Sequence, residues 1–272
     1  MGLVRVRRPE VAPPTGGDGS LLDSTLSNLV EEGLRLVRLA SAASLRVRLI
    51  GGVAVCLSCP SAMERDELRR EYKDLDLAAP RRQSTAVQSL LAQAGYEANQ
   101  RFNALHGATR CLFYDLAHGR QLDVFLGTFQ MCHRLDLESR LGTGSVALSP
   151  ADLLLLKLQV VELNHKDVVD VLALILGHDA VPGSAGSLDT GYIAAICAGD
   201  WGWYTTVHDN LERVAAHAQD VLASPVDAVT ARARIETIRA AIEAAPKSSG
   251  WRWRARLGRR VRWYEMPEEV GG

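Results

Sequence analysis

The chain has 272 residues and 47% hydrophobic content, enough core for one large domain or two modest ones. A formal net charge of −1 excludes recognition of a polyanion by overall charge, so any nucleic-acid contact needs a local basic patch. No apolar run reaches the ~18 residues that span a bilayer, which leaves no membrane partner.

The opening stretch, "MGLVRVRRPEVAPPTGGDGS", is basic but lacks an apolar core of signal-peptide length. It reads as a flexible arm over 1–20. A first helix is predicted over 21–42, where Leu22, Leu26, Leu29, Val30, Leu34 and Val37 recur at helical spacing. Leu45, Val47 and Leu49 then alternate with Arg46 and Arg48, which predicts a strand ending in Gly51-Gly52. "VAVCLSC" follows as a short helix, and a charged loop, "PSAMERDELRREY", leads to the strand "KDLDLAA". Residues 83–95 read as a helix closing on Gly95. "RCLFYDLAHGRQLDVFLG" reads as a hairpin with its turn near His118-Gly119. The fold class is therefore α+β, a small mixed sheet flanked by helices.

From Ser149 onward the pattern is helical. Ser149 suits an N-cap, Pro150 the first helical position and Asp152 the first turn. "LLLLKLQVVEL" and "HKDVVDVLALIL" give two helices, and 177–189 is a loop rich in turn residues. Two or three further helices fill 190–245. "APKSSG" is a linker to a tail rich in tryptophan and arginine. The expected division is an arm (1–20), a sheet-bearing core (21–148), a helical region (149–245) and a basic tail (246–272).

Cys56 and Cys59 form a C-x-x-C, but no second pair stands at zinc-site spacing, so they read as small apolar residues near a helix end. Five cysteines, an odd number, in a chain with no secretory signal point to reduced thiols and a cytoplasmic location. His106, His118, His133 and His165 lie near the interesting segments without the spacing of a zinc site or a triad. His118 suits a turn and His165 a helix start.

The chemistry is concentrated in carboxylates. Strand side chains alternate, so Asp74 and Asp76 share one face while Leu75 and Leu77 share the other. Like charges at that spacing repel and resist desolvation, so they need a metal, a basic partner or open solvent. Asp123, between Leu122 and Val124 in the hairpin, would bring a third carboxylate to the same patch. Such an oxygen cluster suits hard divalent cations. Two Mg²⁺ ions could hold both the attacking and the leaving oxygen of a phosphoryl displacement. Gly51-Gly52, between strand and helix, would let backbone and a helix N-terminus approach a triphosphate closely.

The order strand, Gly-Gly, helix, D-x-D strand, then a later strand with one Asp resembles the polymerase β-like nucleotidyltransferase superfamily. The matching segments are "LIGGVAV", "KDLDLA" and "QLDVF", and the resemblance spans roughly 49–176. It implies metal ligation by Asp74 and Asp76, with Asp123 as third ligand or as base toward an acceptor hydroxyl. It also implies a nucleoside triphosphate substrate held at Gly51 and Gly52. "ADLLLLKLQ" and "NHKDVVDVLAL" resemble the lysine and D-x-x-D elements of the AbiEii branch, which includes the MenT-type toxins. That likeness implies that Lys157 contacts phosphates and that Asp167 and Asp170 complete the site. It further implies an RNA 3′ end or a protein hydroxyl as acceptor, and an antitoxin partner. Without the family, Lys157 reads as a lysine reaching the surface, and Asp170 as a helical partner of Lys166.

The chain departs from the family pattern in having Gly-Gly rather than Gly-Ser, and in a long insertion over 53–73. In that insertion Arg69 and Arg70 could reach phosphates, but a charged surface loop is the plainer reading. The tail carries Arg252, Arg254, Arg256, Arg259, Arg260 and Arg262 among Trp251, Trp253 and Trp263, a mixture suited to phosphate contact and base stacking. It equally suits a terminal element that packs its tryptophans on the body. Two rival functions stand beside an RNA-directed enzyme. "GGVAV" with "KDLDLA" also resembles the aminoglycoside and lincosamide nucleotidyltransferases, and the same fold could serve as a non-catalytic nucleotide-binding module.

Overall fold

The computed structural model describes residues 24–142 and 145–266. The arm expected over 1–20 lies outside them. Alternating hydrophobic segments build a five-stranded sheet from β1 (Arg48–Ile50), β2 (Leu75–Ala79), β3 (Glu97–Ala98), β4 (Arg110–Asp115) and β5 (Arg120–Leu126). Their spatial order is β1-β2-β5-β4-β3. Only β2 and β5 run parallel, and the other neighbours pair antiparallel, so the sheet is mixed as expected. The outer edge of β1 is covered, because Leu49 N–H donates to the Val146 carbonyl and Leu148 N–H to the Leu49 carbonyl. An open edge would invite pairing with another chain.

One face of the sheet buries Leu49, Leu75, Leu77, Leu122, Val124 and Phe113. Each such side chain contributes ~1.5–3 kcal/mol by leaving water. Helices α1 (Leu29–Ala42) and α3 (Ser84–Gln93) add apolar side chains to the same core. The approach of α1 is close: a Cβ at Gly33 would stand 3.0 Å from a methyl of Leu49.

The first helix starts later than the apolar spacing predicts. Asn28 accepts from the Val30 and Glu31 amides at 3.0 and 3.1 Å and caps the helix there. The Leu26 amide instead donates to Glu32, so Leu26 lies outside the helix. A second helix the sequence did not signal, α4 (Gln100–His106), lacks apolar periodicity. Asn99 caps it, and both polar atoms of the Asn103 side chain bond the Leu112 backbone. Local side-chain bonds replace a hydrophobic stripe there.

The other face carries α2 (Gly51–Ser58) over β2. Against α2 pack α5 (Pro150–Leu158) and α6 (His165–Gly177). Beyond them lie α7 (Thr190–Gly199), α8 (Trp201–Val221) and α9 (Pro225–Ala244). Ser149 caps α5 through the Asp152 amide, with Pro150 first in the helix, as the sequence reading has it. A hairpin of β6 (Thr128–Gln130) and β7 (Arg134–Asp136) follows the sheet. A small parallel pair, β8 (Ala180–Val181) and β9 (Leu188–Asp189), stands in the segment read as loop. The chain then forms α10 (Ser249–Leu257), a helix in the tail. Among the described residues no helix is long and apolar enough to cross a membrane.

Inside the core under α1, Glu32 and Arg35 are 0% and 1% exposed and pair at 2.7 Å. Tyr96 donates to the same carboxylate at 2.8 Å, and Arg35 donates to the Ala94 carbonyl at 3.0 Å. Removing one partner of a buried pair strands the other charge. Glu32→Ala should therefore lower the unfolding free energy by ~3–5 kcal/mol in urea titrations. A loss below ~1 kcal/mol would refute this role.

Candidate active site

The D-x-D alternation puts Asp74 at the exposed mouth of β2 and Asp76 one step further in, half-buried. Parallel pairing sets Asp76 opposite Asp123, so all three carboxylates lie on one face. Gly51 opens α2 with a φ of +67°, a conformation glycine adopts freely. A Cβ there would fall 2.0 Å from Asp76 Oδ2. At Gly52 a Cβ would fall 2.2 Å from Arg70 Nη2 and 2.7 Å from the Tyr72 ring. The glycine pair thus makes room for the side chains of Asp76, Arg70 and Tyr72.

Asp76 accepts no hydrogen bond and joins no ion pair among the described residues. Burial and the nearby charge of Asp123 push its carboxyl up to about 7, against a partial pull from Lys157. Desolvation and Asp123 also raise Asp74. Asp123, 4% exposed, has both oxygens engaged: Arg110 Nε donates to one at 2.7 Å and Gln121 Nε2 to the other at 2.8 Å. The Arg110 guanidinium lies over the Phe125 ring, 5.1 Å from its centre.

A second charge cluster joins α5 and α6. Lys157 Nζ lies 3.1 Å from Asp167 and 2.8 Å from Asp170, and is not a lysine reaching for the surface. Burial alone would lower its pKa, but the charges of Asp170 and Asp167 more than offset this and hold it above the ordinary lysine value. Asp170, 1% exposed, accepts a two-point bond from Arg70 at 2.8 and 2.6 Å. Its burial is outweighed by Arg70 and Lys157, which keep it ionised below the usual range. Its partners are therefore Arg70 and Lys157, not Lys166 one turn earlier. Arg70 also stacks on Tyr72 at 4.4 Å.

The insertion thus splits its two arginines. Arg69 pairs with Asp66 at the surface, while Arg70 turns inward over Gly52. Arg110 is the residue of this cluster that the sequence pattern does not single out, and Arg70, weighed there as a phosphate contact against a surface loop, packs inward on Asp170. Arg110 had a signal: the hairpin register pairs Leu112 with Asp123, which puts Arg110 on the same face one step away. The four-residue turn 116–119 fixes that register. His118 does occupy that turn, bonded to Asp115, and His165 begins α6. His133 is buried beside Trp203 and pushed down to about 4 by desolvation, away from the carboxylates.

The donors fit a hard cation in part. Among the described residues no three acid, histidine or cysteine side chains gather closely enough to hold a metal ion. The three carboxylates expected to hold metal share one face, with Asp123 bonded to Arg110 and Gln121. Asp74 and Asp76 remain without a cationic partner. Mg²⁺ is commonly held by one or two carboxylates plus substrate phosphates and water, which those two residues can supply.

No family model matches the sequence, and no curated protein matches it. The structure is similar to that of a lincosamide antibiotic adenylyltransferase, LnuA, in its lincomycin-bound form. The match covers 56% of this chain and 98% of that one, at 16% identity and a TM-score of 0.38. At that level the likeness assigns neither a reaction nor a substrate to this chain.

The raised Asp76 carboxyl fixes a sign. Between the ordinary aspartate range and about pH 7 the folded chain binds a proton that the unfolded chain has released. Stability therefore falls as pH rises through that window, and the loss is complete above it. Asp76→Asn should remove this dependence and raise Tm above pH 7. Added Mg²⁺ should raise the Tm of the native chain but not of Asp76→Asn. A variant less stable than the native chain at pH 8 would show the carboxylate to be structural.

Proposed function

We propose that the chain is a nucleotidyltransferase that moves a nucleoside monophosphate from a nucleoside triphosphate to an acceptor hydroxyl. One observation carries the reading. Two carboxylates without cations, Asp74 and Asp76, stand between a phosphate-compatible corner at Gly51-Gly52 and a third carboxylate, Asp123. Magnesium held by Asp74 and Asp76 would neutralise phosphate charge.

The chain's own groups divide the remaining work. Ile50 caps α2 without a side-chain bond, so the first amides of the helix are free to meet phosphate oxygens. Lys157 and Arg70 supply positive charge toward the triphosphate, and Asp170 with Asp167 fixes where they stand. Asp123 takes the proton of the acceptor hydroxyl, exchanging Gln121 or Arg110 for it. The acceptor oxygen bonds to the α-phosphorus, the bond from that phosphorus to the bridging oxygen breaks, and pyrophosphate leaves.

A cavity of about 200 Å³ adjoins this centre, lined by Arg110, Phe125, Thr128, Gln130 and Met131 among others. Ligand pockets for drug-sized molecules usually measure ~300–1,000 Å³. A compact acceptor group fits better, and the terminal ribose of an RNA is the reading we favour, in line with the AbiEii and MenT resemblance. The cavity's size equally favours one sugar ring of a small molecule, as in the aminoglycoside-type reading.

The test is transfer of label from each α-³²P nucleotide, with Mg²⁺, to total RNA and to an aminoglycoside and lincosamide panel. Asp74→Ala/Asp76→Ala should reduce transfer by at least ~10²–10³-fold. Arg70→Met should raise the KM for nucleotide by about tenfold, the loss of a charge-assisted contact. Nucleotide binding by calorimetry without transfer to any acceptor would leave a binding module in place of an enzyme.

A further inference from the structure

The tail divides its aromatic and basic residues into two sets. Trp251 packs edge-on to Tyr204 with ring centres 5.2 Å apart. Trp263 packs edge-on to Trp201 and donates to Thr206 at 3.0 Å. Arg254 closes the end of α10, donating to the Gly258 and Val261 carbonyls at 2.8 and 2.6 Å, and lies over Trp201. Arg259 pairs with Asp209 at 2.7 Å, and Arg262 lies over Tyr264. Trp251, Arg254, Arg259 and Trp263 thereby tie the tail to α8.

The other set faces outward. Arg252, Arg256 and Arg260 are exposed and make no side-chain hydrogen bond or ion pair among the described residues. Trp253 is 62% exposed, an unusual cost for an indole. Arg252 and Arg256 are one turn apart, ~6 Å along the helix, with Trp253 beside them. Together with Ser249 and Gly250 they line an open groove of about 550 Å³. Among the described residues, Asp209 is engaged by Arg259, Glu243 by Tyr204 and Glu265 by Gln130.

We propose that Arg252, Trp253 and Arg256 on α10, with Arg260 in the turn that follows it, form a docking surface for single-stranded nucleic acid. Three uncompensated guanidinium groups match a run of phosphates, and the indole offers a platform for one unstacked base. Duplex bases are stacked on one another and offer no free face. A lipid surface fits poorly, because the exposed apolar side chains of the tail, Trp253, Leu257, Val261 and Met266, are interspersed along the chain with arginines and other polar residues. The net charge of the chain is −1, so the attraction is local to this patch. The surface needs no metal and none of the carboxylates of the candidate active site, so it stands or falls apart from the proposed chemistry.

Binding of the full chain to a fluorescein-labelled single-stranded RNA of ~12 nucleotides, followed by anisotropy in EDTA over a range of salt, tests this. The native chain should bind, with affinity falling steeply as salt rises. Arg252→Gln/Arg256→Gln/Arg260→Gln should flatten the salt slope by ~2, since each phosphate contact on a single strand contributes ~0.7. Trp253→Ala should weaken binding by about tenfold while leaving the salt slope unchanged. Unchanged affinity and slope in the triple variant would overturn the proposal. So would equal competition by duplex RNA, or sedimentation with phosphatidylserine vesicles in place of RNA binding.

Discussion

Asp170 is the charge on which the arrangement turns. A carboxylate 1% exposed on the buried face of α6 is untenable unless it is neutralised. It meets that need by taking Arg70 from the insertion and Lys157 from the neighbouring helix. Two segments far apart in sequence are thereby drawn to one point beside Gly52. The insertion is tied down again further along, where Arg65 pairs with Asp227 at 2.7 Å and Glu67 accepts from the Ala223 amide. The buried Asp170 is thus one of several ties between the insertion and the helical half.

The neighbouring carboxylates are built on the opposite principle. Asp170 is over-supplied with cations, whereas Asp76 has none and its carboxyl is pushed up to about 7. The fold tolerates an unfavourable charge there and offsets it with the core beneath the sheet. Such local conflict with stability is common where a site waits for a charged ligand. Gly51 belongs to the same device, since any side chain at that position would strike the Asp76 carboxylate. Gly-Gly in place of Gly-Ser is thus consistent with a crowded corner, where Gly52 likewise gives way to Arg70 and Tyr72.

The chain beyond α10 returns toward the sheet. Trp263 is held by Thr206, and the Glu265 amide donates to the Cys132 carbonyl at 2.9 Å. Glu265 and Met266 thereby line the cavity that holds Arg110, the partner of Asp123. The end of the tail thus reaches a cavity beside the candidate site.

The sequence by itself determined the local facts. Alternation put Asp74 and Asp76 on one face, capping chemistry started α5 at Pro150, and apolar periodicity called for a sheet followed by helices. These depend on neighbours a few residues apart, and so they could be read from spacing. It could not show that Asn28 delays the first helix, that Asn99 and Asn103 build α4 without an apolar stripe, or that Lys157 is buried between two aspartates. Only the tertiary structure decided which cation serves which carboxylate. Asp170 takes Arg70 from 100 residues away, and Asp123 takes Arg110 across a hairpin whose turn fixes the register. Charge pairing depends on distance in space and on burial, and neither is written in the spacing of residues along the chain.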